Sequence, residues 1–147
     1  MKHSPVLPLR ILLSDDNQHG LLARKMILQD QGYEVVTVQD GENVWQVFQQ
    51  GAFDIVVTDY RMKHMDGLEF IRTIRDSGST ARVIMLSGFA MALGLTQEST
   101  GADEVIAKSN KEVPELLRAV KKLSQRPAKR GPGSAVAVRA RLGRKAG

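Results

Sequence analysis

Five short aliphatic and β-branched runs, separated by longer amphipathic stretches, constrain this chain more than any other feature. The runs are Leu9–Leu13, Glu34–Val38, Asp54–Thr58, Arg82–Leu86 and Val105–Ala107. Each is too short for a helix and nearly continuous in apolar character, as a strand reads when both faces of its sheet are covered. The intervening segments carry helical spacing. Leu21, Leu22, Met26 and Leu28 mark one apolar face, Val44, Val47 and Phe48 a second, and Leu68, Ile71 and Ile74 a third. Val113, Leu116, Leu117, Val120 and Leu123 mark the clearest. Trp45 and Phe48, at helical spacing, are read as core-facing. Gly32, Gly51, Gly78 and Gly101 punctuate the approaches to the second through fifth runs. Asn110 is the expected N-cap of the last helix, with Glu112, Pro114 and Glu115 in its first turns. Between Ala90 and Ser99, Gly94 costs about 1 kcal/mol relative to alanine, which predicts a helix that is short or mobile. Five such βα units fold as an open, mostly parallel sheet with helices on both faces, because right-handed crossovers force that packing.

Composition serves mainly to exclude. A chain of 147 residues suits one compact domain with a short appendage. The absence of cysteine removes disulfides, thiolate metal sites and cysteine nucleophiles. His3, His19 and His64 lack the spacing of a paired metal site, and His19 and His64 are read as exposed loop residues. No apolar run approaches the ~20 residues of a membrane span. Asp15-Asp16 follows the first run where a signal peptide would carry small residues, so no transmembrane segment is expected and the cytoplasm is the expected location.

The net charge of +5 is unevenly placed. Residues 1–123 hold 14 Lys and Arg against 16 acids, a net of −2, whereas residues 124–147 hold seven bases and no acid. The expected division is a mildly acidic domain over residues 9–123 and a basic, disordered tail over 124–147, opening on the linker-like Gln125–Ser134. A tail this short falls below the ~50 residues that a folded DNA-binding domain generally needs. It also lacks interleaved aromatics for base stacking. Nucleic-acid contact through it would be non-specific and would weaken steeply with salt; an acidic membrane surface and a docking partner are the other readings.

In an open parallel sheet, ligands bind beyond the carboxyl ends of the strands, where strand order reverses. The first run leads into Asp15-Asp16, the third into Asp59, the fourth into Ser87 and the fifth into Lys108. Three acids, a hydroxyl and an ammonium thus converge on one rim. Three neighbouring carboxylates repel one another unless cations offset them. A hard divalent ion such as Mg²⁺, held by oxygens, answers that need, and Lys108 adds positive charge.

Over roughly Leu9 to Leu123 this pattern resembles the receiver domain of bacterial two-component response regulators. The resemblance implies a flavodoxin-like, doubly wound five-stranded parallel sheet in the order 2-1-3-4-5. Asp59 matches the phosphoryl-accepting aspartate, and Asp15 and Asp16 match the acidic pair that holds Mg²⁺. Ser87 matches the hydroxyl that engages the phosphoryl group, and Lys108 the lysine that reaches it. Met62, Met65, Asp66 and Gly67 match the loop after the acceptor, and Gly101-Ala102-Asp103 resembles the approach to the fifth strand. The implied function is that of a single-domain response regulator. It would take a phosphoryl group from a sensor histidine kinase or histidine phosphotransfer protein and signal to an unidentified downstream protein through altered contacts. By the same resemblance, Asp16, Asp59 and the backbone carbonyl of Arg61 would bind Mg²⁺ directly and Asp15 through water. Such a protein catalyses only its own phosphorylation and dephosphorylation.

Departures from the family pattern keep other readings in view. Lys63 and Ser109 stand where prolines are usual, so the Lys108–Ser109 bond is expected to be trans, with Lys108 placed somewhat differently. Val105 stands where an aromatic is frequent, a role that Phe89 could fill; Arg61 and Phe89 occupy positions that in this family influence dephosphorylation. These changes suit a receiver-like binding module that works without phosphorylation. A Mg²⁺-dependent aspartyl-phosphate phosphohydrolase is disfavoured, because Asp59-Tyr60-Arg61 lacks a second acid two residues on and no cap is inserted. Phe89, Met91, Leu93 and Leu95 exceed what packing between two elements consumes and suggest a partner or self-association face.

Overall fold

The computed structural model describes residues 8–39, 41–88 and 94–125. Residues 126–147 of the basic tail, and Phe89, Met91 and Leu93 of the apolar group, lie outside the described residues. Strands β1 (Arg10–Ser14), β2 (Glu34–Val38), β3 (Ile55–Asp59), β4 (Arg82–Ser87) and β5 (Glu104–Ala107) alternate with helices α1 (Gln18–Asp30), α2 (Gly41–Gly51), α3 (Gly67–Asp76), α4 (Gln97–Thr100) and α5 (Glu112–Ser124). All four strand pairings are parallel, and the sheet order is β2-β1-β3-β4-β5. The expected doubly wound architecture and its strand order are both present.

Period-two alternation along the strands divides the core into two layers. Ile11, Leu13, Ile55, Val57, Ile84 and Leu86 face one side, where they pack with Leu21 and Leu28 of α1 and Leu116, Val120 and Leu123 of α5. Leu12, Val56, Val83 and Met85 face the other, against Val44 and Phe48 of α2 and Phe70, Ile71 and Ile74 of α3. Phe48 stacks on Trp45 with centroids 5.4 Å apart and meets Phe70 edge-on at 6.0 Å. Both sheet faces are therefore covered, which is why the strands read as unbroken apolar runs.

Local chemistry sets the helix ends. Asn17 caps α1 by accepting from the Gly20 amide at 3.0 Å, and Asp66 caps α3 by accepting from Glu69 at 2.9 Å. Thr96 and Ser99 form a reciprocal capping box on α4. Helix α5 carries Glu112 and Glu115 in its first turn and Lys121 and Lys122 in its last, which complements its dipole.

Three sequence readings are corrected. Leu22 and Met26 do not share the buried face of α1; they are 51% and 65% exposed, and Arg24 takes the core-facing place between Leu21 and Leu28. Asn110 is not the N-cap of α5. That position belongs to Lys111, which makes no side-chain cap, while Ser109 Oγ accepts from the Lys111 amide at 3.1 Å and supplies the polar turn instead. His19, read as a loop residue, lies exposed in the first turn of α1. Within 94–125 the segment after Gly94 forms only the single turn of α4.

Candidate functional site

Parallel pairing puts every strand's carboxyl end on one rim, and register decides which residues meet there. Ser14 of β1 pairs with Thr58 of β3, Asp59 with Leu86 of β4, and Ser87 with Ala107 of β5. Asp15 therefore leaves β1 beside Asp59, at the reversal between β1 and β3 where an open sheet leaves its crevice. Beneath them Ser14 Oγ donates to Thr58 Oγ1 at 2.8 Å, and Thr58 Oγ1 donates to the Asp59 carbonyl at 3.1 Å. This buried hydroxyl pair fixes the floor of the crevice.

Lys108 reaches the crevice from β5. Its amide donates to the Ser87 carbonyl at 3.0 Å, extending the ladder past the strand end. Its Nζ lies 2.9 Å from Asp59 Oδ1 and 3.3 Å from Asp15 Oδ2, so two carboxylates share one ammonium. The Lys108–Ser109 peptide is trans, as expected. Ser87 is fully buried at the end of β4, in the strand next to Asp59.

Asp15 is almost completely buried and fully engaged. Oδ1 accepts from the Asn17 amide at 2.8 Å, and Oδ2 accepts from Arg24 Nη1 at 2.8 Å as well as from Lys108. Asp16 is half-buried and turned toward the β3–α3 loop, where Oδ2 accepts from the Lys63 amide at 3.0 Å. A cavity of about 400 Å³ opens there, lined by Asp16, Tyr60, Arg61, Met62, Lys63 and Asp66. Arg61 is exposed on its rim.

Two glycines allow this loop to sit where it does. A Cβ at Gly67 would overlap the Asp59 carbonyl oxygen and lie 3.1 Å from both Met85 Cε and Tyr60 Cα. A Cβ at Gly41, the first residue of α2, would run into the Lys63 carbonyl and stand 2.6 Å from that of Met65. Close backbone approach at both places requires glycine.

Burial pushes the Asp59 carboxyl above its ordinary range; the Lys108 hydrogen bond works against that rise and the charge of Asp15 adds to it. Asp15 and Asp59 share the Lys108 ammonium, and Asp15 and Glu112 share the Arg24 guanidinium. Among the described residues, no three acids or histidines close around a single point as metal ligands would. The donor set still suits a hard divalent cation, being all oxygen and including three neighbouring carboxylates.

Sequence reasoning missed Arg24 and Glu112. Arg24 Nε donates to Glu112 Oε2 at 2.5 Å, so the guanidinium bridges Asp15 to the first turn of α5. Burial disfavours its charge, but Glu112 and Asp15 outweigh that and hold the pKa above the usual arginine value. The available signal was Arg24 falling in line with Leu21 and Leu28, four residues after Gly20.

The chain is similar in sequence and in fold to known proteins. A family model described as the response regulator receiver domain matches residues 11–121. The CAI-1 autoinducer sensor kinase/phosphatase CqsS of Vibrio cholerae is 33% identical over 109 residues, covering 71% of this chain and 16% of that protein. The transcriptional regulatory protein TrcR of Mycobacterium tuberculosis is 30% identical over 127 residues, covering 82% of this chain and 49% of that one. The chain thus spans less than half the length of both relatives. The response regulator TrrA of Thermotoga maritima, solved in complex with Mg²⁺-BeF, is 34% identical with a TM-score of 0.69, covering 78% of this chain and 98% of its own. Sheet order, the acids and lysine gathered at the strand ends, and a match over three quarters of its length agree that the chain belongs to the response regulator receiver domain family.

Proposed function

We propose that Asp59 accepts a phosphoryl group from a phosphohistidine donor, a sensor kinase or phosphotransfer protein, and that the modified domain signals in the cytoplasm through altered contacts with a downstream protein. In this reading residues 9–123 form the switching unit and 124–147 a basic extension. The observation that carries it is the 2.9 Å approach of Lys108 Nζ to Asp59 Oδ1, with Asp15 on the same ammonium, at the sheet's reversal point.

An Asp59 oxygen attacks phosphorus, a P–O bond forms, the P–N bond breaks, and the imidazole leaves with the bonding pair and takes up a proton. Asp59 must be ionised to attack, and Lys108 favours that form against the effect of burial. The product adds roughly −1.5 to −2 charge units, by analogy with other phosphorylated side chains. Lys108 then follows the new phosphoryl oxygens, and Ser87 engages them with its hydroxyl. Asp16, Asp59 and the Arg61 carbonyl, with Asp15, would hold a divalent cation, which would neutralise part of the transferring charge. Asp16 would give up its Lys63 amide partner to take part. Support for the cation comes from the oxygen donor set and from the Mg²⁺-BeF complex of TrrA.

Incubation with acetyl phosphate or a phosphoramidate, with and without Mg²⁺, followed by intact mass measurement tests this. The expected result is a Mg²⁺-dependent phosphoryl adduct that Asp59→Asn abolishes. A wild-type protein that gains no adduct from any donor would instead be a binding module that works without phosphorylation.

A further inference from the structure

Arg24 occupies a position where α1 calls for an apolar side chain. It lies in line with Leu21 and Leu28 against the sheet and is only 9% exposed. A buried guanidinium costs several kcal/mol unless it is well paired. Here both ends are paired: Nη1 to Asp15 at 2.8 Å and Nε to Glu112 at 2.5 Å. Gly20 leaves room for it, since a Cβ there would lie 3.0 Å from Nη1. The result is a line of alternating charge, Asp59–Lys108–Asp15–Arg24–Glu112, running from the crevice to the start of α5.

We propose that Arg24 is a positioning residue that sets the crevice's affinity for its divalent cation, with Glu112 as the counterweight. This rests on the phosphoacceptor reading above. Arg24 fixes Asp15 and places a positive charge against the same carboxylate that backs the cation, which weakens cation binding. Glu112 draws off part of that charge and restores affinity. The two residues therefore act with opposite sign. An ion pair that only holds α1 to α5 would give both substitutions the same sign, or none.

Mg²⁺ titration of the unphosphorylated full chain by calorimetry, together with the Mg²⁺-induced rise in melting temperature, separates these cases. Arg24→Met should tighten Mg²⁺ binding by about fivefold to tenfold, and Glu112→Gln should weaken it by about threefold. Should Arg24→Met fail to fold, the double variant Arg24→Met/Glu112→Gln, which leaves no unpaired Glu112 charge, should bind Mg²⁺ more tightly than Glu112→Gln alone. Wild-type binding with both substitutions shifting the same way, or neither shifting, overturns the role of Arg24 and leaves the phosphoacceptor reading standing. A wild-type protein that binds no Mg²⁺ overturns the cation assignment and this inference together.

Discussion

The two rims of the sheet use the same kinds of residue to opposite ends. At the amino rim Asp103, just before β5, is as buried as Asp59 at the carboxyl rim, 7% against 8% exposed. Asp103 Oδ2 accepts from the Val83 amide at 2.8 Å and from Arg75 Nη2 at 2.9 Å, while the same guanidinium donates to the Gly101 and Ala81 carbonyls. Arg10 pairs with Glu34 at 3.2 Å and lies 4.8 Å from the centre of the Phe53 ring. There Asp103 pairs with one cation and one backbone amide. At the carboxyl rim one ammonium serves two carboxylates. The lesson is that the sharing of a cation, more than burial, separates the setting of Asp59 from that of an aspartate that staples the fold.

The sharpest way to break this contrast is to exchange the roles of the two aspartates. Asp59→Asn should abolish the phosphoryl adduct completely. Asp103→Ala should leave the adduct intact but lower the unfolding free energy by about 2–4 kcal/mol, because it strands the Val83 amide and the partly buried Arg75. Intact mass and urea unfolding of both variants read the two effects, and an Asp103 variant that loses phosphorylation at full stability would erase the distinction. Next in size, Gly67→Ala should cost about 1–3 kcal/mol by overpacking, since its Cβ meets the Asp59 carbonyl. It should also slow adduct formation, because that overlap moves Asp59 itself. The smallest effect is a pH dependence. A carboxyl whose pKa is raised on folding stabilises the fold while protonated and loses that contribution as pH rises through its folded value. Asp59→Asn should therefore be more stable than wild type at neutral pH. The gap should close as pH falls through the raised value toward the ordinary carboxylate range. A gap that stays constant with pH would mean that Asp59 carries no burden of burial.

Much of this was legible along the chain, for reasons that mark where legibility stops. The strands could be read because both faces of the sheet are covered, which leaves aliphatic runs such as Ile55–Val57 with no polar interruption. The placement of Asp15, Asp59, Ser87 and Lys108 on one rim followed from parallel pairing alone. Helix α1 defeated the same reasoning. Its apolar residues spread around the helix, and the partners that make Arg24 tolerable in the core, Asp15 and Glu112, stand on β1's exit and on α5. A partner 88 residues along the chain leaves no periodic trace. The start of α5 was misplaced for a related reason: Ser109 and Asn110 are both plausible turn formers, and the backbone selects Ser109. Which donor each acid meets was likewise settled only by the folded geometry, which sends Asp16 to the Lys63 backbone amide and Asp15 to Arg24.

Gly41 has a bearing on redesign. Because the opening residue of α2 rests on the Lys63 and Met65 backbone, the segment after Asp59 and the front of α2 are cast from one mould. Grafting a foreign loop onto positions 61–66 to alter what this protein recognises would have to carry over a compatible α2 start as well. A library that varies either stretch alone would spend most of its members on collisions between them.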